Sequence, residues 1–111
     1  MVVDARLREC NYGTLNGMPR ARLDRERGHH LHRPWPGGES YRDVVERTQT
    51  LLEDLLAHHD GQRVLIVAHS ANRLALDHLL LKHDLAALVA APFDWQPGWE
   101  YVLDGSGSRV A

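Results

Sequence analysis

Two stretches of the chain carry side chains that could do chemistry. The first, Arg6-Leu7-Arg8-Glu9-Cys10-Asn11-Tyr12-Gly13-Thr14-Leu15-Asn16-Gly17, sets a carboxylate, a phenol and two arginines among glycines that permit tight turns. A carboxylate so placed can pass a proton. Alone, Glu9 reads equally as a loop carboxylate paired with Arg8. The second is the junction Val67-Ala68-His69-Ser70, where an apolar run meets a helical pattern. Ligands bind at the carboxyl ends of strands in α/β sheets. A helix start there would offer free N–H groups and a positive dipole end, which suits phosphate. His69 could donate to the same anion, or it could simply end the strand and bond a nearby carbonyl. Ser70 reads as a helix N-cap.

Other residues invite weaker readings. Residues 20–38 hold Arg20, Arg22, Arg25, Arg27 and Arg33 against Asp24 and Glu26, a local charge of +3. Such a stretch either steers anions toward a site or forms a solvated flap. His29, His30 and His32, with His58 and His59, lack the definite ligand spacing of a metal centre, so no metal and no cofactor is expected. Trp35, Trp95 and Trp99 could line a pocket or cover a sheet edge or core. Cys10 reads as a passive, half-buried thiol unless it sits in a positive cleft.

Positioning these groups requires elements. Residues 1–4 could end a strand, and residues 5–19 read as an ordered loop. A short helical turn is expected at 20–27. The clearest helix is 40–59, with Ser40 as cap and Asp43 in a capping-box position. Its apolar stripe runs Tyr41, Val44, Val45, Leu51, Leu52, Leu55 and Leu56. Its charged face, with Asp43 and Arg47 paired at i,i+4, is expected to be solvated. Val64 to Ala68 does not alternate, so it reads as a central parallel strand covered on both faces. Helices at 71–83 and 84–91 follow, then a strand at 99–103 and a frayed tail from Asp104. This order argues an α/β fold with a parallel or mixed sheet.

Composition bounds the answer. The chain has 111 residues, 43% hydrophobic and 25% charged, which suits a single domain or part of one. A formal charge of −2 gives no electrostatic support for nucleic-acid binding. No stretch nears the roughly 18 apolar residues of a membrane span. The N-terminus lacks a signal-peptide pattern, and one cysteine permits no internal disulfide, so a cytoplasmic protein is expected.

Together the two stretches resemble a known family. Leu7 to Gly17 resembles the L-x-E-x-x-Y-G-x-x-x-G segment of the histidine phosphatase superfamily, the phosphoglycerate mutase-like proteins. Pro36-Gly37-Gly38-Glu39-Ser40, followed by a helix containing Arg47, is similar to its P-x-G-E-S element. Val64 to His69 is similar to its strand ending in the second active-site histidine. The resemblance implies a three-layer α/β/α fold, incomplete here, and phosphoryl-ester hydrolysis or transfer through a phosphohistidine. It makes His69 the second, electrostatic histidine and Glu9 the general acid/base. Tyr12 and Arg20 fall where members contact a phosphorylated small-molecule substrate, and Ser70 replaces the usual glycine while still offering its N–H.

The family's R-H-G motif, which bears the nucleophile and precedes the acid segment, occurs nowhere in the chain. The expectation is therefore a single partial domain over 1–111, truncated at its N-terminal end, with little or no activity. A non-catalytic remnant is the alternative. It would bind phosphorylated ligands or a partner, as in a homodimer through an exposed sheet edge. A third reading is an α/β-hydrolase-like serine esterase using Ser70. That elbow wants glycine at the positions occupied by Ala68 and Asn72.

Overall fold

The computed structural model describes residues 1–92, 94 and 96–103. Trp95 and the tail from Asp104 lie outside them. Among the described residues four α-helices carry the architecture: α1 (Arg20–Glu26), α2 (Tyr41–His59), α3 (Ser70–Leu80) and α4 (Leu85–Ala90). Short 3₁₀ turns sit at Ala5–Leu7, Gly13–Leu15 and Arg27–His30. None of the helices among the described residues is long and apolar enough to cross a membrane.

The frame is α2 packed on α3. The Ser40 hydroxyl oxygen accepts from the Asp43 N–H at 3.1 Å, and the Asp43 carboxylate accepts from the Ser40 N–H at 2.9 Å. This closed box starts α2 where the sequence places it. Its stripe buries Tyr41, Val44, Val45, Leu51 and Leu52. Ala71, Ala75, Leu76 and Leu80 answer from α3, and Leu85 and Val89 from α4. Helix α3 stops three residues short of the expected 83. Leu81 closes it, and Lys82 at φ 60° lets the His83 N–H turn back onto the Asp77 carbonyl. That is a left-handed C-terminal cap.

The α/β expectation is corrected here. Among the described residues there is no strand and no sheet, hence no sheet edge on which a dimer could pair. Val64–Ala68 is not a covered central strand. Val64 is 48% exposed, Leu65 89% and Val67 84%. An apolar run fixes a local preference for extended backbone, but a strand exists only when a neighbour supplies a hydrogen-bond ladder. Met1, Val2 and Val3 are likewise exposed and unladdered. Residues 99–103 form no strand and use side chains instead. Tyr101 and Leu103 pack against Leu52, Leu76 and Leu80.

A second correction concerns α2. Arg47 does not pair with Asp43 on a solvated face. Its side chain is 18% exposed and bonds Glu39 at 3.0 Å. It also donates to the carbonyls of Arg6 (2.6 Å) and Glu9 (3.1 Å). Asp43 is committed to the cap, which frees Arg47 to serve two loops at once.

Those loops are zipped together. Thr14 N–H donates to the Pro36 carbonyl (2.9 Å), and Glu39 N–H to the Asn11 carbonyl (2.8 Å). Asn11 N–H donates to the Glu39 carboxylate (3.0 Å). Trp35, fully buried beneath them, meets Tyr12 edge-on at 5.4 Å and stacks on His30 at 3.8 Å. Glu9 is thus delivered to its place by long-range contacts.

Candidate functional site

Glu9 lands on the N-terminus of α3. Its Oε1 accepts N–H bonds from Cys10 (2.8 Å) and Ala71 (3.2 Å). Its Oε2 accepts the Ser70 hydroxyl at 3.0 Å. The register is locked beside it. Asn72, only 1% exposed, donates from its side chain to the Arg8 carbonyl and accepts the His69 N–H, each at 3.0 Å. Glu9 is therefore not an ordinary loop carboxylate paired with Arg8. The helix tip expected to be free for phosphate is occupied by a protein carboxylate, a favourable charge–dipole arrangement.

A cavity of about 350 Å³ opens beside this junction. Glu9, Tyr12, Arg20 and Ser70, four of the five residues singled out in the sequence, line it together. The fifth, His69, is exposed, and its side chain is not part of the lining. Arg27, Arg73 and Tyr41 also line it and were not anticipated. Arg27 belongs to the arginine-rich stretch, so a coarse signal existed. Arg73 is one turn into α3, and nothing in its spacing distinguished it.

Each cation is held by partners within the protein. Arg27 is 12% exposed, lies 3.6 Å from Asp24 and donates to the Ala91 carbonyl. Arg73 pairs with Asp77 at 3.0 Å and lies 5.1 Å over the Trp99 ring. Asp77 is itself buried and accepts the Tyr101 hydroxyl. Arg20, 64% exposed, touches Asp24 at 3.4 Å. Three guanidinium groups face two carboxylates, Glu9 and Asp94, so the lining is net positive. Burial pushes the Tyr12 phenol well above its ordinary range and that of Tyr41 up to about 12, so both are neutral donors at physiological pH.

Two alternatives read differently in space. Ser70 bonds Glu9, and among the described residues no histidine bonds Ser70, so the pairing that activates a nucleophilic serine is lacking. A second hollow of about 750 Å³ runs along Gly28–Arg33, but its lining of Gly28, His29, Leu31, His32 and Arg33 holds no carboxylate. Among the described residues no three His, Cys, Asp or Glu side chains cluster as metal ligands would.

Cys10 is buried deeper than the sequence suggests, at 3% exposure. Burial first, then the Glu39 and Glu9 charges, pushes its thiol up to about 12. The thiolate is the reactive form. Labelling by Ellman's reagent at pH 8 is therefore expected to run about 100-fold slower in the native protein than in denaturing urea. Equal rates would show that the thiol is open to solvent.

Comparison with known proteins adds an independent finding. The family model described as the histidine phosphatase superfamily (branch 1) matches residues 1–97. A bifunctional protein of Mycobacterium tuberculosis (strain ATCC 25618 / H37Rv) is 35% identical over 111 aligned positions, covering 84% of this chain and 30% of that protein. An uncharacterized protein of Mycobacterium bovis (strain ATCC BAA-935 / AF2122/97) matches with the same identity and coverage. The chain thus spans about 30% of the length of these curated relatives.

Proposed function

Because this chain belongs to branch 1 of the histidine phosphatase superfamily, we propose that the cavity beside Glu9 is a phosphoester site. The observation that carries this reading is the Glu9 carboxylate, seated at the start of α3 and sharing one cavity with Arg20, Arg27 and Arg73. The arginines, with Tyr12 and Ser70, are the binding groups. Fixed guanidinium groups stabilise the charge of a phosphoryl group and its transition state.

Glu9 is the proton carrier for the leaving oxygen, and its two oxygens divide the work. Oε1 faces backbone N–H groups, which exchange no proton on this timescale. Oε2 faces the Ser70 hydroxyl, which can turn to accept as readily as donate. When a nucleophile attacks phosphorus and the bond to the alcohol oxygen breaks, Oε2 is the oxygen placed to give that alkoxide its proton; this sequence has no Arg-His-Gly to supply the nucleophile. The family resemblance gives His69 the electrostatic role, but its exposed side chain lies outside the lining, so the positive charge in this cavity comes from the arginines.

The sequence contains no Arg-His-Gly tripeptide. The expected behaviour of the 111-residue polypeptide is thus to hold phosphorylated ligands with hydrolysis at or near background. Isothermal titration with inorganic phosphate tests the site. Arg20 is exposed and bears little of the packing, so Arg20→Ala is expected to weaken binding about tenfold, the worth of one charge-assisted hydrogen bond. Absence of phosphate binding to the parent chain would overturn the site. Brisk turnover of p-nitrophenyl phosphate, lost in His69→Ala, would overturn the non-catalytic part.

A further inference from the structure

The cavity has a second kind of wall. Leu23 of α1, Leu74 of α3, Leu88 of α4 and Pro92 line it together with the rings of Tyr12 and Tyr41. Leu23, Leu74 and Leu88 are each only half-buried, so they keep apolar surface uncovered beside the arginines. Six different segments converge to make this wall, and it lies within the same hollow as the cations.

The polar lining groups are largely engaged by the protein. Ser70 is bonded to Glu9, Arg73 to Asp77, and Arg27 to Ala91 and Asp24. A phosphoryl group can still reach the guanidinium edges, because each guanidinium carries five donors. The hydroxyl groups of a polyol would compete with the phosphate for the remaining guanidinium and phenol donors. Burying a polar group without a partner opposes binding, whereas an apolar ring gains by leaving water. A cavity of about 350 Å³ is at the small end of ligand sites and admits a phosphate plus one ring.

We propose that this site selects phosphate monoesters of aromatic or bulky apolar alcohols over those of polyols. The inference rests on the phosphoester reading above and names the half of the ligand which that reading leaves open.

The test compares three probes on the intact chain by isothermal titration: inorganic phosphate, glycerol 2-phosphate and phenyl phosphate. Phenyl phosphate is expected to bind about tenfold tighter than glycerol 2-phosphate, the gain from covering about half of a ring. Leu88→Ser on α4 and Leu23→Ser on α1 are each expected to cut that preference about threefold. Phosphate binding with equal affinity for the two esters overturns the selectivity and leaves the phosphoester site standing. Loss of all three overturns both. The parent chain alone gives the deciding ratio, so a variant that misfolds does not rescue the proposal.

Discussion

Gly13→Ala is expected to cost about 4 kcal/mol or more, an exceptional value for one methyl group. Gly13 sits at φ 61°, where an added Cβ would lie 2.0 Å from the Pro36 carbonyl oxygen and 2.7 Å from the Gly38 nitrogen. These are backbone atoms and cannot swing aside. The two loops would have to part, breaking Thr14 to Pro36 and Glu39 to Asn11 and releasing the segment that delivers Glu9. Small domains have roughly 5–15 kcal/mol in total, so much of the population would unfold near physiological temperature. Gly17→Ala separates collision from backbone strain. Gly17 has φ 85° but nothing within 4 Å of its would-be Cβ. That substitution is expected to cost about 1 kcal/mol. Urea unfolding followed by circular dichroism reads both, and equal costs would mean that the loops are not in contact.

What the sequence revealed was what is decided locally. Ser40 and Asp43 lie three residues apart, and that spacing alone builds the cap of α2. The short helices expected at 20–27 and 84–91 likewise appear, as α1 and α4. What it concealed depends on partners. Val64–Ala68 encodes an extended backbone but not the neighbour that would make it a strand, and here it stands exposed. Arg47 matched a helical i,i+4 pair with Asp43, yet the cap had already claimed that carboxylate. Its real partners, Glu39 and the Arg6 and Glu9 carbonyls, lie 8 to 41 positions away.

The candidate site divides the same way. Glu9, Tyr12, Arg20 and Ser70 were visible as residue types in a motif, and they meet around one cavity. Arg27, Arg73 and Tyr41 owe their place to helix packing, which no spacing rule reports. The N-terminus of α3 was read as a vacancy because its occupant, Glu9, is 61 positions from Ser70. In this chain the start of α3 holds the Glu9 carboxylate, and three arginines share its cavity.

Trp35 shows how such long-range packing reaches the site. Its side chain is fully buried, yet its indole N–H has no hydrogen-bond partner among the described residues. Two consequences oppose each other. Trp35→Ala removes the largest buried side chain and should cost about 3–5 kcal/mol. Trp35→Phe loses less volume and also removes an unsatisfied donor, whose burial costs about 1–3 kcal/mol. The phenylalanine variant is therefore expected to lie within about 1.5 kcal/mol of the parent chain. The contrast should extend to binding. Trp35 meets Tyr12 edge-on at 5.4 Å, and Tyr12 lines the cavity. A phenyl ring still supports that edge, whereas alanine leaves a void into which the phenol can fall. Denaturation midpoints with phosphate titrations of both variants measure the pair of effects. A phenylalanine variant as unstable as the alanine variant would mean that the indole nitrogen is bonded after all and that the packing around Tyr12 differs from that described.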